Sequence, residues 1–313
     1  MTNIRGKDST PLVSVCCTSY NIKQFIGPTL DSILAQKTDF PIEIIVHDDA
    51  STDGTQDVIR SYAEMHPGII KTIFQKTNIY TSHDGRIAHI LNHYMLPQTR
   101  GKYIATADGD DYWTDPEKLQ KKINFLESTP ECVACFTNVR IINELDSRMS
   151  REYHNDHKDG IIPELTIALR GGGLFSNSTL LFRKKDFIAS ELYPHYNELA
   201  RYLENDTLYI YLLMFAGKVG YLSDVTAIYR QWEGGLFSGI MYDAEKSARL
   251  IENEMKGTEI IIRLADPGRR SLFKRKLSYD SLNVIRKRSG LGRFKYLKNL
   301  HFKEFTRLVT SLN

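Results

Sequence analysis

Two short acidic segments carry the residue types most able to do chemistry. Residues 48–53 read Asp-Asp-Ala-Ser-Thr-Asp, and residues 108–111 read Asp-Gly-Asp-Asp. Carboxylates that are held close together repel one another and raise each other's pKa unless a cation lies among them. Mn²⁺ and Mg²⁺ prefer oxygen ligands, and they are commonly held by one or two carboxylates together with the phosphates of a nucleotide. The pattern therefore predicts a site for Mn²⁺ or Mg²⁺ and a nucleoside diphosphate.

The elements that must position these segments alternate between short apolar runs and amphipathic stretches. The predicted strands cover residues 12–17, 42–47, 69–75, 102–107 and 132–141, and the predicted helices cover 26–36, 55–65 and 86–95, with another beginning at 115. Strand–helix–strand order is typical of an α/β fold with a mostly parallel, doubly wound sheet. Ligands bind beyond the carboxyl ends of the strands in such a sheet. Both acidic segments follow a predicted strand, so we expect them at one edge.

The phosphates of a bound nucleotide would not meet a glycine-rich loop. The sequence contains neither Gly-x-Gly-x-x-Gly after the first strand nor Gly-x-x-x-x-Gly-Lys-Ser/Thr. A cation on Asp110, helped by Arg86, would instead neutralise the diphosphate. Tyr20, which follows the first strand, can stack on a base. The Asp49 carboxylate can accept from an imide N–H, which uracil and thymine have and adenine lacks.

After about residue 143 the alternating pattern ends. Residues 146–160 are polar and predict a loop, and Gly171–Gly173 predict a flexible joint. Residues 178–183 and 219–230 predict further strands, residues 206–216 predict an apolar helix, and the chain from residue 242 onward reads as helical with breaks at Gly268 and Gly290–Gly292. We find no internal repeat and no low-complexity segment.

Composition and charge limit the class of protein. The chain has 313 residues, a net charge of +3 and 42% hydrophobic residues, which is ordinary for a globular protein. No apolar run approaches the roughly 18 residues that a spanning helix needs, and the first residues lack the apolar stretch of a signal peptide. We therefore expect a cytoplasmic protein. The four cysteines, Cys16, Cys17, Cys132 and Cys135, lie in apolar runs and predict buried free thiols rather than a zinc site.

The net charge conceals a basic C-terminal segment. Residues 269–313 hold 13 Lys/Arg and 2 Asp/Glu, a net charge of +11, so that residues 1–268 carry −8. Three interpretations remain open: a solvated helical surface, an anionic membrane surface, or nucleic acid. Phe and Leu residues interleave with the cations, which favours the membrane. No nucleic-acid motif accompanies the charge, so we expect no nucleic-acid partner.

Three segments in order resemble family 2 of the inverting glycosyltransferases. They are residues 13–21 (Val-Ser-Val-Cys-Cys-Thr-Ser-Tyr-Asn), residues 47–55 (His-Asp-Asp-Ala-Ser-Thr-Asp-Gly-Thr) and residues 101–111 (Gly-Lys-Tyr-Ile-Ala-Thr-Ala-Asp-Gly-Asp-Asp). The resemblance covers roughly residues 11–235 and implies a glycosyltransferase A-type fold that binds a UDP-sugar. It also assigns roles, which fall on Thr18, Tyr20 and Asp49 for the base, Arg86 for the base or diphosphate, Asp108 and Gly109 of the Asp-x-Asp motif for the ribose and donor, and Asp110 for the metal.

The resemblance also implies a catalytic base. In the family the base belongs to a Glu-Asp pair that opens a helix ahead of Gly-Lys, and this chain has Glu-Asn-Asp at 204–206 ahead of Gly-Lys at 217–218. Asp206 aligns with the base, and Asn205 replaces the usual Glu. Trp232 stands where the family often has His. A Trp cannot ligate a metal, and we expect its ring to stack on the donor sugar.

The implied reaction is a single inverting step in which Asp206 deprotonates an acceptor hydroxyl. The expected acceptor is a saccharide carried on a lipid, in polysaccharide or O-antigen assembly at the inner face of the cytoplasmic membrane. The expected domains are residues 1–238 for transfer (11–143 for the nucleotide-sugar, 144–238 for the acceptor and base) and residues 239–313 as a basic helical region. Two alternatives stay open: a sugar-nucleotide-forming nucleotidyltransferase, although its glycine- and arginine-rich first loop is missing, and a non-catalytic nucleotide-sugar-binding module.

Overall fold

The sheet of this protein is built from the apolar runs of the sequence. The computed structural model describes residues 10–82, 90–144, 150–153, 158–235 and 243–288. Contacts within the chain divide it into two units, Met1–Trp232 and Glu233–Asn313. The first unit contains the sheet and the second contains two long helices.

The described strands of the first unit belong to one mixed sheet. They are β1 (Val13–Ser19), β2 (Ile42–Asp48), β3 (Ile70–Phe74), β4 (Tyr103–Asp108), β5 (Tyr112–Trp113), β6 (Cys132–Asn143), β7 (Arg151–Glu152), β8 (Gly160–Ile161), β9 (Leu181–Arg183) and β10 (Lys218–Gln231). The main order is β3-β2-β1-β4-β9-β6-β10-β5, with β7 beside β6 and β8 beside β10. β1 to β4 are parallel to their neighbours among themselves, and β6 is parallel to β10, whereas β9 runs antiparallel to both β4 and β6.

Helices connect the parallel strands, as the sequence predicts. They are α1 (Lys23–Leu34), α2 (Thr55–Met65), α3 (Ile79–Ser82), α4 (Lys118–Ser128), α5 (Glu164–Arg170), α6 (Lys184–Ile188), α7 (Tyr196–Leu199) and α8 (Asn205–Ala216). A π-helix covers Ile90–Met95, and 3₁₀ turns cover Leu96–Gln98, Gly171–Leu174, Asn177–Thr179 and Tyr193–His195. The helix predicted at 86–95 is described only from residue 90, where it takes the wider π form.

The core lies between the sheet and the helices. Ile26, Leu30 and Ile33 of α1 share one helix face and are fully buried against apolar residues of β1 and β2. Residues 207–215 of α8 are buried all round, which explains why this helix shows no polar face in the sequence. All four cysteines are buried and free, as predicted. Burial raises the pKa of Cys132 to about 11 and that of Cys135 to about 12, so these thiols are inert.

A buried carboxylate joins the amino ends of the central strands. Glu43 of β2 accepts from Ser14 Oγ at 2.7 Å and from the Arg100 backbone N–H at 2.6 Å on one oxygen. Its other oxygen accepts from Lys71 Nζ at 2.9 Å and Arg100 Nε at 3.0 Å. Burial by itself would raise the pKa of Glu43, but these hydrogen bonds outweigh it and lower the pKa to about 2. Glu43 with Ser14, Lys71 and Arg100 forms a group that we call the Glu43 clip. It lies at the opposite end of the strands from the acidic segments.

The described residues of the second unit contain α9 (Ala244–Leu264) and α10 (Pro267–Arg288). Asp243 caps α9, because its side chain accepts from the backbone N–H groups of Glu245 and Lys246. The break between the helices precedes Pro267 rather than Gly268, and Pro suits the first helical position since its N–H is not needed there. Within the described ranges, none of the helices combines the length and apolar character that crossing a bilayer requires. Residues 289–313 of the basic segment lie outside the described residues.

Candidate functional site

The ends of β1, β2 and β4 meet at one edge of the sheet. Thr18 of β1 lies in register with His47 of β2 on one side and with Asp108 of β4 on the other. The chain stays joined beyond the strands, where the Asp49 N–H donates to Ser19 O at 3.0 Å and the Gly109 N–H donates to Thr18 O at 2.9 Å. The sequence segments that the resemblance singled out are therefore neighbours in space.

Gly109 is needed where the Asp-x-Asp turn passes close to β1. A Cβ at this position would lie 2.5 Å from Ile22 Cδ1 and 2.7 Å from Thr18 O, which is closer than real contacts allow. The Oγ1 of Thr29 from α1 lies within hydrogen-bond distance of two carbonyl oxygens of the turn, Gly109 O at 2.7 Å and Asp111 O at 2.5 Å. Gly109 thus shapes the turn rather than offering a side chain, and α1 fixes the turn that presents Asp110.

Asp108, Asp110 and Asp111 form a crowded group that we call the acidic cluster. Asp108 Oδ1 accepts from Asn177 Nδ2 at 2.8 Å, and Asp111 Oδ1 accepts from the Arg230 backbone N–H at 2.9 Å. Burial, followed by the charge of Asp110, raises the pKa of Asp108 to about 7. Burial also raises the pKa of Asp110 and, with the charges of its two neighbours, that of Asp111.

The acidic cluster suits a divalent cation. Asp111 Oδ2 is buried and has no hydrogen-bond partner among the described residues. The three carboxylates disfavour one another's ionised form, which a cation among them would reverse. In the described part of the chain no three His, Cys, Asp or Glu side chains are arranged as a complete metal site. The donor set therefore fits an ion held by one or two carboxylates, with the remaining ligands coming from phosphates and water.

Trp232 contacts the acidic cluster through its polar edge. Its indole Nε1–H donates to Asp110 Oδ2 at 2.9 Å, and its ring packs edge-to-face on Phe25 with 4.9 Å between centroids. Arg230 donates from Nε to Asp110 O at 3.0 Å and from a terminal nitrogen to Glu144 at 2.6 Å. Sequence analysis missed Arg230, although its place two residues before Trp232, the position where the resemblance expects His, was the signal that could have pointed to it.

Asp49 and Tyr20, both predicted to contact the base, differ in their exposure. Asp49 is buried, and its two carboxylate oxygens accept from the backbone N–H groups of Ile79 at 2.6 Å and Tyr80 at 2.9 Å. This carboxylate therefore holds the start of α3 in addition to any ligand. The Tyr20 side chain is 48% exposed at the end of β1, so its ring is open to a stacking partner. Arg86, the remaining predicted contact, lies outside the described residues.

Two buried lysines of α4 support the acidic cluster indirectly. Sequence analysis does not point to them, because lysines usually stay exposed. Lys118 Nζ donates to Ser178 O at 2.6 Å, and Lys122 Nζ donates to Thr179 O. The 3₁₀ turn that they hold is the one from which Asn177 reaches Asp108 and from which Ser178 Oγ accepts the Asp108 N–H at 3.0 Å. Burial lowers the pKa of Lys122 to about 8.

Asp206 lies in the first turn of α8 and is half-buried. One of its oxygens accepts from the Thr207 backbone N–H at 2.9 Å. Burial, and then the charge of Asp206, raise the pKa of Tyr153. Burial and the charges of the three cluster carboxylates raise the pKa of Tyr229, and Tyr153 adds to that increase. The charge of Asp206 thus acts on Tyr153, and the charges of the acidic cluster act on Tyr229.

The chain has clear relatives in sequence. The profile of Glycosyl transferase family 2 matches residues 14–187. An uncharacterized protein of Mycobacterium tuberculosis is 31% identical over 242 residues, which cover 75% of this chain and 63% of that protein. The Escherichia coli protein WfaP, a UDP-Glc:α-D-GlcNAc-diphosphoundecaprenol β-1,3-glucosyltransferase, is 36% identical over 117 residues, which cover 37% of this chain and 42% of WfaP. These matches span less than two thirds of the relatives' length.

The fold also has counterparts among solved structures. The crystal structure of Staphylococcus aureus TarS 1-349 in complex with UDP-GlcNAc aligns with a TM-score of 0.66 at 18% identity, covering 90% of this chain and 76% of that one. A likeness at this identity concerns the fold, and it confirms the prediction of a glycosyltransferase A-type α/β domain with a mostly parallel sheet and helices at the C-terminus. Since the family profile covers more than half of its residues, the chain belongs to glycosyl transferase family 2.

Proposed function

We propose that this protein is an inverting glycosyltransferase that moves a sugar from a UDP-sugar to a hydroxyl of a saccharide acceptor. The observation that carries the proposal is the joint placement of two acidic groups. The acidic cluster lies at the carboxyl ends of the strands, where nucleotides bind in such sheets. Asp206 lies against Gly172, in the segment that leads to Asn177, whose side-chain amide donates to Asp108. One group is suited to a diphosphate with its cation and the other to an acceptor hydroxyl.

Asp110 would hold Mn²⁺ or Mg²⁺, with Asp108 facing the ribose. When bound there, the ion supplies positive charge against the departing diphosphate. Trp232 orients Asp110 by donating to its Oδ2. Arg230, whose side chain contacts the same turn, fixes the backbone of Asp110. We infer that Tyr20 stacks on the uracil, that Thr18 and Asp49 complete the base pocket, and that Arg86 adds a cation near the diphosphate.

Asp206 acts as the general base in this scheme. Its carboxylate takes the proton of the acceptor hydroxyl while that oxygen attacks the anomeric carbon from the face opposite the diphosphate. The bond between the anomeric carbon and the diphosphate oxygen breaks as the new glycosidic bond forms. The diphosphate leaves with the electron pair, and the proton remains on Asp206 until solvent removes it. No covalent intermediate with the protein is needed.

The choice of a UDP-sugar and a lipid-linked acceptor is supported by relatives rather than by contacts in this chain. WfaP is named for UDP-Glc and a diphosphoundecaprenol acceptor, and TarS was crystallised with UDP-GlcNAc. Residues 1–238 would carry out transfer, and the basic region 239–313 would rest on the anionic inner face of the cytoplasmic membrane. Co-sedimentation with anionic vesicles tests this last point, and equal recovery with neutral vesicles would contradict it.

The decisive experiment measures transfer and binding in one preparation. Wild-type protein with Mn²⁺ should release UDP from a UDP-sugar when a suitable saccharide acceptor is present. Asp206→Asn should reduce transfer by about 10²–10⁴-fold, the usual contribution of a general base, while UDP binding measured by calorimetry stays unchanged. Transfer that survives in Asp206→Asn would show that Asp206 is not the base. Formation of UTP from a UDP-sugar and pyrophosphate would indicate a nucleotidyltransferase, and binding without turnover would indicate a binding module.

A further inference from the structure

The glycine run Gly171–Gly173 packs against the start of α8 and is not the flexible joint that the sequence predicts. It forms a 3₁₀ turn with Leu174, and its first two residues are buried. The Gly172 N–H donates to Thr207 Oγ1 at 3.0 Å. The position of the run is therefore fixed by the residue that follows Asp206 in the chain.

Two neighbouring glycines in this run differ sharply in their surroundings. A Cβ built on Gly172 would lie 2.4 Å from Asp206 Cγ and 2.5 and 2.7 Å from its two carboxylate oxygens. A Cβ built on Gly173 would meet nothing within 4 Å. Gly171 has a positive φ angle, whereas Gly172 and Gly173, which are also among the described residues, do not. Alanine at 172 or 173 therefore needs no unusual backbone conformation. The Asp206 carboxylate thus occupies the space that a side chain at 172 would take.

We propose that Gly172 is a positioning residue whose missing side chain seats the Asp206 carboxylate in its working orientation. This inference rests on the proposed function, in which Asp206 is the base. A methyl group at 172 would occupy the same space as the carboxylate. The two groups would be closer than real contacts allow, so one of them must move.

We expect a methyl group at 172 to be accommodated by rotation of the Asp206 side chain rather than by movement of the backbone. The backbone around the glycine run is anchored on both sides, because Gly173 O accepts from Tyr153 Oη at 3.1 Å and from Arg170 at 3.3 Å. At the end of α5, Ala168 O accepts from Tyr211 Oη at 3.0 Å. Rotation of the Asp206 side chain breaks its hydrogen bond from the Thr207 N–H but needs no movement of these backbone groups. A displacement of about 1 Å in a reacting group can cost roughly 10²-fold in rate.

The test compares Gly172→Ala with Gly173→Ala in the full chain. We expect Gly172→Ala to lower kcat by about 10²-fold through misplacement of the base, with the donor KM and the affinity for UDP with Mn²⁺ unchanged. Gly173→Ala should keep the wild-type kcat. Equal kcat values for the two variants would overturn the inference, as would a loss in Gly172→Ala that falls on the donor KM instead of kcat.

Thermal unfolding provides a readout that does not require turnover. Because the clash is with the carboxylate, Asp206→Ala should relieve it, so Gly172→Ala should lower Tm less in the Asp206→Ala background than in the wild type. Should Gly172→Ala fail to fold, recovery of folded protein in the double variant supports the inference, and failure of the double variant contradicts it. If Asp206→Asn retains transfer, the proposed base is wrong, yet this coupling would still report whether Gly172 seats the carboxylate.

Discussion

Trp232 lies between the core and the acidic cluster. The resemblance led us to expect a ring that stacks on the sugar, and the structure adds that the indole Nε1–H donates to Asp110 Oδ2 and that the ring packs edge-to-face on Phe25. One oxygen of this carboxylate is therefore held by the indole donor. A residue that cannot bind a metal acts here on the residue that we propose to bind it. Sequence comparison alone reveals the replacement of His but not this contact.

At this scale we predict the effect of Trp232→Phe. Phe keeps an aromatic ring against Phe25 and removes the N–H that orients Asp110. Loss of such a supporting hydrogen bond typically weakens metal binding by about 10–100-fold. Calorimetry of Mn²⁺ in the presence of UDP measures this affinity, and Phe25→Leu, which alters the packing and keeps the indole N–H, serves as the comparison. An unchanged Mn²⁺ affinity in Trp232→Phe would mean that the hydrogen bond does not orient Asp110.

At the scale of elements, α4 supports the acidic cluster through the 3₁₀ turn Asn177–Thr179. Its buried lysines hold the carbonyl groups of Ser178 and Thr179, and the same turn contacts Asp108 through Asn177 and Ser178. Lys118 also lies over the Trp113 ring, with 4.2 Å from Nζ to the ring centroid. A helix that contributes no carboxylate to the acidic cluster thus fixes the turn that contacts Asp108.

Lys118→Met tests this support. Met fills a similar volume and cannot donate to Ser178 O, which would leave a buried carbonyl unsatisfied at a cost of about 1–3 kcal/mol. The free energy of unfolding from denaturant titration should fall by that amount, and the donor KM should rise. Lys121→Met is the matched control on the same helix, because Lys121 is partly exposed and its surface ion pairs contribute about 0–1 kcal/mol. Similar losses in both variants would contradict the supporting role.

The elements were predictable to the extent that their signals are local. The α2 bounds of Thr55–Met65 coincide with the prediction, because an amphipathic run begins there directly after a polar segment. The short β9 strand and its antiparallel place beside β4 depend on contacts distant in sequence, and no local pattern encodes them. The prediction of a flexible joint at Gly171–Gly173 fails for the same reason. A run of glycines predicts flexibility, and the sequence does not show which distant side chain packs against it. Asp206 reaches Gly172 only in the folded chain.

At the scale of the whole molecule, the stabilising clip and the acidic site occupy opposite ends of the same strands. Glu43 is paired with Ser14, Lys71 and Arg100 at the amino ends, where its hydrogen bonds favour the charged form. The acidic cluster at the carboxyl ends has the reverse character, since burial and mutual repulsion disfavour its charges. The unfavourable burial and repulsion of the cluster carboxylates are thus kept apart from the contacts that hold β1, β2 and β3 together.

The pH dependence of stability follows from the Glu43 clip. Its pKa is about 2 in the folded protein against 4.5 for the ordinary group, so the stabilisation is complete above pH 4.5 and is lost as the pH falls toward 2. The shift corresponds to roughly 3 kcal/mol at pH 7. Denaturant unfolding of Glu43→Gln should show this loss at pH 7 and a smaller loss at pH 3. Glu152→Gln, which breaks an exposed pair with Arg140, should cost about 0–1 kcal/mol. A Glu43→Gln deficit that does not shrink in acid would refute this account.

The antiparallel strand β9 has a consequence for exchanging parts between relatives. It is hydrogen-bonded to β4 on one side and to β6 on the other, so it bridges the two stretches of parallel sheet. A fragment that stops at residue 143 would lack this bridge and would leave β4 with an open edge that invites aggregation. Chimeras that swap acceptor preference should therefore keep Leu181–Arg183 with its parent β4 and place the junction after it.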